Sequence, residues 1–212
     1  MKTHPVTGTL RSRRIARSRQ RLVEIALPAF AEHGYDAVTV DRLCDQAEVS
    51  KRSFFRYFDG KEDLALTPLN DVWRTLITDL DAVLARSGPL LAVLGDALVD
   101  AVEQMPPGWE RLAVLSARLG GTHPEIDAAG VVVCERLTQQ VVDTIAARLS
   151  GTSGADLSAR FVCAAMIAGH RAAVDTWQSA PGAETTATRA ELCALIRTSL
   201  AGAPAALEIR LP

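Results

Sequence analysis

Between residues 51 and 57 the chain places Lys51, Arg52, Ser53, Arg56 and Tyr57, three cations and two hydroxyls on one short segment. Such groups hold phosphate oxygens and base edges, so the set suits nucleic-acid binding better than bond-making chemistry. The surrounding pattern supports this. Thr39 is a good N-cap for Val40, Leu43, Cys44 and Ala47, which repeat at helical spacing; the pattern breaks at Glu48 and Val49, and Ser50 is a second N-cap. The second short helix has Phe54, Phe55 and Phe58 as its apolar side, leaving the cations and hydroxyls for solvent or a partner. Two short helices joined by a tight turn can place the second in a DNA major groove.

No catalytic set of comparable quality is present. His4, His33, His123 and His170 lack a carboxylate or nucleophile at recognisable spacing, and there is no Gly-rich phosphate loop. Cys44, Cys134, Cys163 and Cys193 lie far apart, without CxxC or Cys/His spacing. They read as reduced core thiols, with no metal, no cofactor and no enzyme activity expected.

The elements that must position the basic segment are helical, as is nearly all of the chain. A first helix runs from Leu10 or Arg14 to His33, with Leu22, Ile25, Ala26, Ala29 and Phe30 as its stripe and Gly34 as its stop. A fourth starts at Lys61, with Glu62 and Asp63 in its first turn, and continues to about Arg86. Breaks at Gly and Pro clusters then mark off helices over about 89–104, 107–119, 124–149, 155–179 and 184–201. The expected fold class is therefore all-α with about nine helices. A head over 1–66 carries a basic arm and the helix-turn-helix; a larger helical body spans 67–212. Pro28 and Pro68 lie inside apolar stripes that continue past them, so both predict kinked helices rather than ends.

Composition agrees. The 212 residues are 48% hydrophobic but only 5% aromatic, as in a core of Ala, Leu and Val, and no apolar run approaches the roughly 18 residues of a membrane span. With no secretory signal pattern either, a cytoplasmic, nucleoid-associated protein is expected. The net charge of −2 hides an asymmetry: residues 1–66 sum to +3 and the remainder to −5. Residues 1–21 hold seven basic side chains and no acidic one. Arg11, Arg13, Arg14 and Arg17 form either an arm for an adjacent minor groove or a solvated tail.

Residues 22–66, about a fifth of the chain, resemble the N-terminal domain of the tetracycline-repressor (TetR) family of bacterial regulators. The resemblance rests on Ala29-Phe30, His33-Gly34-Tyr35, Thr39-Val40, Ala47, Val49-Ser50, Tyr57-Phe58 and Lys61-Glu62-Asp63-Leu64. The run SFFRYF is also similar to an actinobacterial subgroup with acyl-CoA-type effectors. Three departures are visible. Glu48 stands where the family usually has Gly in a left-handed turn, at a cost of about 1 kcal/mol; Phe55 replaces a common Tyr, and Tyr57 a common His. The resemblance implies that Thr39 faces phosphate and that Ser50, Lys51, Arg52 and Ser53 front the recognition helix. Lys51 and Arg52 would take base edges, Ser53 and Tyr57 backbone, and Lys61 a phosphate. Ser50 serves as contact or only as cap.

For the body, the resemblance implies a homodimer through the eighth and ninth helices. Phe161, Ala164, Ala165, Ala168 and Ala172 share one face of the eighth, while Val162, Met166, Gly169, Ala173 and Trp177 share another. Leu192, Cys193, Leu195, Ile196 and Leu200 would supply the ninth. It also implies an effector pocket among the fourth to eighth helices. Candidates are Trp73, Ile77, Trp109, Leu112, Met166 and His170, with Arg118 and His123 as polar anchors and Arg74, Arg111 or Arg118 at the mouth for an acyl-CoA. The leading expectation is a dimeric repressor, released from a pseudo-palindromic double-stranded DNA operator by a small apolar or amphipathic effector. A regulator without effector, or an activator, is the alternative.

Overall fold

The computed structural model describes residues 10–149 and 154–206, and among these it contains eleven α-helices and no strand. They are α1 (Leu10–His33), α2 (Val40–Ala47), α3 (Lys51–Tyr57), α4 (Lys61–Thr78), α5 (Leu80–Val83), α6 (Leu90–Glu103), α7 (Trp109–Thr122), α8 (Pro124–Arg148), α9 (Ala155–Gln178), α10 (Ala183–Thr186) and α11 (Arg189–Ala206). The nine expected helices are present, and two one-turn helices are added. The fourth helix stops at Thr78 instead of running to Arg86, and the chain bends at Asp79 so that Leu80 and Val83 of α5 both turn into the body core. The last helix begins at Arg189 rather than near 184. Thr188 caps it: its Oγ1 accepts from Glu191 N at 3.3 Å, while Glu191 Oε2 accepts from Thr188 N at 2.9 Å. Both α1 and α4 run through their prolines.

Two apolar cores hold the helices. The first gathers Leu22, Val23, Ala26, Leu27 and Phe30 of α1 under Leu43, Cys44 and Ala47 of α2 and Phe54 and Phe58 at α3. It continues into Leu64, Ala65 and Leu66 of α4, then takes Leu112, Leu115 and Leu119 of α7 and Ile126 of α8. The head is thus built partly from helices of the body. The corner after α1 is bolted to the rest: Gly34 takes a left-handed φ of 83°, and Tyr35 packs against Phe30 and His123. The Tyr35 hydroxyl donates to Glu62 Oε1 at 2.8 Å. Burial and that carboxylate push the Tyr35 phenol above its ordinary range.

The second core surrounds α6 with α4, α5, α7, α8, α9 and α11. Leu200 of α11 lies over two glycines, Gly95 of α6 and Gly169 of α9; a Cβ at Gly169 would sit 2.5 Å from its Cδ2. Leu192, Cys193, Ile196 and Leu200 are all buried within the chain. The sequence assigned them to a subunit interface, but α6 and α9 of the same chain already cover them. Of the two α9 faces, the one with Met166, Ala173 and Trp177 packs inward, and the one with Phe161, Ala164, Ala168 and Ala172 stays outside.

His170 is 6% exposed, with its ring edge-on to Trp73 at 5.0 Å. Burial, aided by the Arg171 charge, lowers its pKa from 6.5 to about 4. Below pH 6.5 the unfolded chain therefore binds a proton that the folded chain refuses. The stability due to neutral His170 is complete above that pH and is lost as pH falls towards 4. Between pH 7 and pH 5 the protein should lose about 2 kcal/mol from this group. Denaturant unfolding at both pH values should show the loss, and His170→Gln should lack it; equal losses in both proteins would refute the assignment.

Glu48 is the one non-glycine residue with positive φ among those described, at φ 57° and ψ 41°. Its ion pair with Arg21, at 3.5 Å between exposed side chains, returns little. Glu48→Gly should raise unfolding stability by about 1 kcal/mol, whereas Glu48→Ala, which keeps the Cβ, should not. Chemical denaturation of the two variants checks this.

Candidate nucleic-acid interface and internal cleft

The two short helices owe their starts to side-chain caps. Thr39 Oγ1 accepts from Arg42 N at 3.3 Å, and Ser50 Oγ accepts from Ser53 N at 3.1 Å. Between them Glu48 N donates to Asp45 O and Val49 N to Cys44 O, closing α2 and turning the chain into α3. Phe54 and Phe58 anchor α3 from below, with 0% and 2% exposure and rings 5.4 Å apart.

What remains outside α3 is Lys51, Arg52, Phe55 and Arg56, at helical spacing on one face. Phe55 is 59% exposed, which corrects its assignment to the apolar side. Its inward place is taken by Phe54, one residue and about 100° earlier around the helix. Lys51 pairs with Asp41 of α2, both about three-fifths exposed, so the pair is weak and a phosphate can replace it. Arg52 has no ion-pair or hydrogen-bond partner among the described residues. Arg56 lies over the Tyr57 ring and donates to the Tyr57 hydroxyl at 3.0 Å. Arg42, exposed on α2, joins this cationic surface. Phe55 and Arg42 were not among the residues expected to face a partner, although the four-residue step from Lys51 points to Phe55.

Lys61 differs from its expected role. Its Nζ donates to Tyr35 O at 2.7 Å and Val38 O at 3.2 Å, and it lies 3.9 Å from the Tyr35 ring centroid. These contacts tie the start of α4 to the corner before α2, so Lys61 orients the helix-turn-helix and has one N–H left for other partners. Arg11, Arg14 and Arg17 stand exposed on the first turns of α1, a helix rather than an extended arm; residues 1–9 lie outside the described residues.

In the body, α4, α7, α8 and α9 border an open cleft of about 830 Å³. Leu66, Leu69, Trp73, Ala117, Val131 and Ile167 give it an apolar wall, Asn70, Ser116 and His170 are buried polar residues along it, and Asp127, Glu135, Arg160, Arg171 and Asp175 bring charged side chains to it. A smaller void of about 50 Å³ continues behind Trp73, against Cys163 and Met166. The structure therefore brings Trp73, Met166 and His170 together as expected. Trp109, Ile77, Leu112 and Arg118 do not line the cleft. The Trp109 indole N–H donates to Pro68 O at 2.8 Å and its ring stacks on Trp177, while Ile77 packs on the body core and Leu112 lies in the head core. Arg118 is held by Glu184 and by the Gln178 carbonyl, and His123 by Thr122, Leu119 O and Tyr35. Asn70 Nδ2 and Ser116 Oγ are buried without a hydrogen-bond partner, at a cost of about 1–3 kcal/mol each. Sequence periodicity offers no signal for either residue, because an unmet polar group becomes visible only once its surroundings are known.

Known proteins resemble the chain along most of its length. A family model described as "Bacterial regulatory proteins, tetR family" matches residues 22–67, and one described as "MftR C-terminal domain" matches residues 88–201. The chain is 37% identical over 86 residues to the HTH-type transcriptional regulator TcmR of Streptomyces glaucescens, covering 41% of this chain and 38% of that protein. It is 28% identical over 146 residues to the HTH-type transcriptional activator FasR of Mycolicibacterium smegmatis, covering 66% and 65%. To the HTH-type transcriptional repressor AcnR of Corynebacterium glutamicum it is 45% identical over 49 residues, covering 23% and 26%. The chain thus spans less than two thirds of the length of each of these relatives. The fold is shared with a TetR-family transcriptional regulator of Syntrophomonas wolfei at a TM-score of 0.58 and 16% identity, over 90% of this chain and 96% of that one. With family-model matches across both the helix-turn-helix head and the helical body, this chain belongs to the TetR family of bacterial transcriptional regulators.

Proposed function

We propose that the protein is a homodimeric, ligand-responsive DNA-binding regulator, acting as a repressor that leaves its operator when a small molecule fills the cleft. The outward face of α3 carries this reading: Lys51, Arg52, Phe55 and Arg56 stand in solvent on a helix locked from beneath by Phe54 and Phe58. Arg52 and Lys51 serve as base-edge readers, Phe55 as an apolar contact for a thymine methyl, and Thr39, Ser53 and Tyr57 as phosphate donors. Two copies related by a two-fold axis would present two such helices to a pseudo-palindromic site.

The outer stripe of α9 supports pairing of the copies. Leu157 and Phe161 are 59% and 68% exposed, and Ala168 and Ala172 continue the stripe beside the exposed Ala194 and Ala201 of α11. Large apolar groups in water next to small ones suit a close helix-to-helix interface.

Coupling between cleft and DNA face runs through two helices. α4 carries Asn70 and Trp73 at the cleft and Leu64 in the head core; α7 carries Ser116 and Ala117 at the cleft and Leu115 and Leu119 in the head core. Pro68, clamped by Trp109, sits between the two ends of α4. An occupant that binds better when these helices are spread would shift the dimer towards a recognition-helix spacing the operator does not match.

Arg52→Ala should lose discrimination by about 1–3 kcal/mol at the base pair it reads, in a binding-and-sequencing experiment on genomic fragments. An unchanged site preference would remove Arg52 from base reading. Phe161→Glu should weaken dimerisation at least about thirtyfold, seen by sedimentation, while helical content is retained. An unaltered dimer would place the interface elsewhere. Deleting the gene should raise transcription from the bound promoter; a fall would make the protein an activator, as FasR is named.

A further inference from the structure

Resting on the DNA-binding reading of the head, we infer that the first turns of α1 form a second, sequence-independent DNA contact. They present an arginine stripe to the phosphate backbone that flanks the groove entered by α3. Residues 10–21 carry six arginines and no acidic side chain. Leu22 is the first buried side chain described on α1, so about 18 Å of helix precedes the apolar core. Arg11, Arg14, Arg17 and Arg21 follow one another there at steps of three and four, on one side of the helix, and all four are exposed. Like charges at these steps repel, and cations at a helix start oppose its dipole. The first turn holds no acid to offset this, and Arg11, Arg14 and Arg17 have no ion-pair or hydrogen-bond partner among the described residues. A stripe built against its own electrostatics calls for a polyanion outside the chain.

Two contacts identify that polyanion as the bound duplex. Arg21 reaches Glu48, in the turn between α2 and α3, at 3.5 Å. Arg19 lies over the ring of Phe58 at the end of α3, with its guanidinium bound to Asp71 of α4. The stripe therefore starts beside the helix-turn-helix and adds to the cations of α3. From Arg11 to Arg21 it is about 15 Å long, a length over which one DNA strand carries about four phosphates. Arg19 and the Leu22 end of the helix fix α1 to α4 and to the head core, so the arginines are carried on an anchored helix. Phosphates are alike in every sequence, so the stripe adds affinity and bound length without adding base preference.

The test compares the full-length protein with a triple variant, Arg11→Ala, Arg14→Ala and Arg17→Ala, whose alanines favour the helix. Each is titrated over a range of salt against a genomic fragment selected by the parent and against a random duplex. Each phosphate contact contributes about 0.9 to the slope of log affinity against log salt, so the triple variant should be shallower by about 2 to 3. At 0.1 M salt both duplexes should be bound more weakly by the same factor, on the order of a hundredfold. Backbone protection from hydroxyl radicals should shrink at the flanks of the selected site. Arg14→Ala alone should change the slope by about 0.9, and three lysines at the same positions should keep the parent's slope. An unchanged slope would overturn the inference, as would a loss confined to the selected fragment, which belongs to base reading. Loss of binding to phosphatidylglycerol vesicles with no change on DNA would assign the stripe to a membrane surface and overturn it too. A parent that bound no fragment even at low salt would instead sink the DNA-binding reading itself.

Discussion

Helix α7 is buried on two sides at once, and the behaviour of the molecule depends on this. Leu112, Leu115 and Leu119 belong to the core under the helix-turn-helix, whereas Trp109, Ala113 and Val114 belong to the body core. Ser116, Ala117, Gly120 and Gly121 on the same helix face the cleft. A helix wedged between two close-packed cores cannot move against one without disturbing the other, and packed interiors change by switching between discrete arrangements. The Trp109 indole bonded to Pro68 O extends the same constraint to α4 at the residue that lacks a backbone N–H. The head and the body therefore share packed helices, with no flexible linker between them.

The head is held rigidly enough to transmit such a movement. Arg19 of α1 makes two hydrogen bonds to Asp71 of α4, at 2.8 and 2.9 Å, and lies over the Phe58 ring at the end of α3. Lys61 and Glu62 at the start of α4 reach back to the Tyr35 corner. These contacts join α1, α3 and α4, so the orientation of the exposed α3 face follows α4. The surface ion pairs around this face are weak in water, which suits a surface that must exchange them for phosphates.

The cleft shows the opposite economy. An apolar core of this size would be more stable with Leu and Ala in place of Asn70 and Ser116, since each buried unmet group costs about 1–3 kcal/mol. His170 adds to the cost below neutral pH and keeps the interior uncharged above it.

Local order determined most of the fold. The caps Thr39 and Ser50, the stop at Gly34, the Gly and Pro breaks and the apolar stripes are statements about neighbours in sequence, and they predict all nine longer helices, missing the end of α4 at Thr78 and the start of α11 at Arg189. Glu48 was legible too, through the family resemblance, which places a left-handed Gly at that position. Helical spacing also contained the Lys51, Arg52, Phe55 and Arg56 face, although aromatic character drew Phe55 to the wrong side. Only tertiary structure decided which apolar faces meet partners within the chain. Leu192, Cys193 and Ile196 look like an interface until α6 and α9 cover them, and Trp109 looks like a pocket residue until Pro68 accepts its N–H. That Asn70 Nδ2 and Ser116 Oγ lack partners is decided the same way. An unmet hydrogen bond is a property of what surrounds an atom, and those surroundings come from helices distant in sequence.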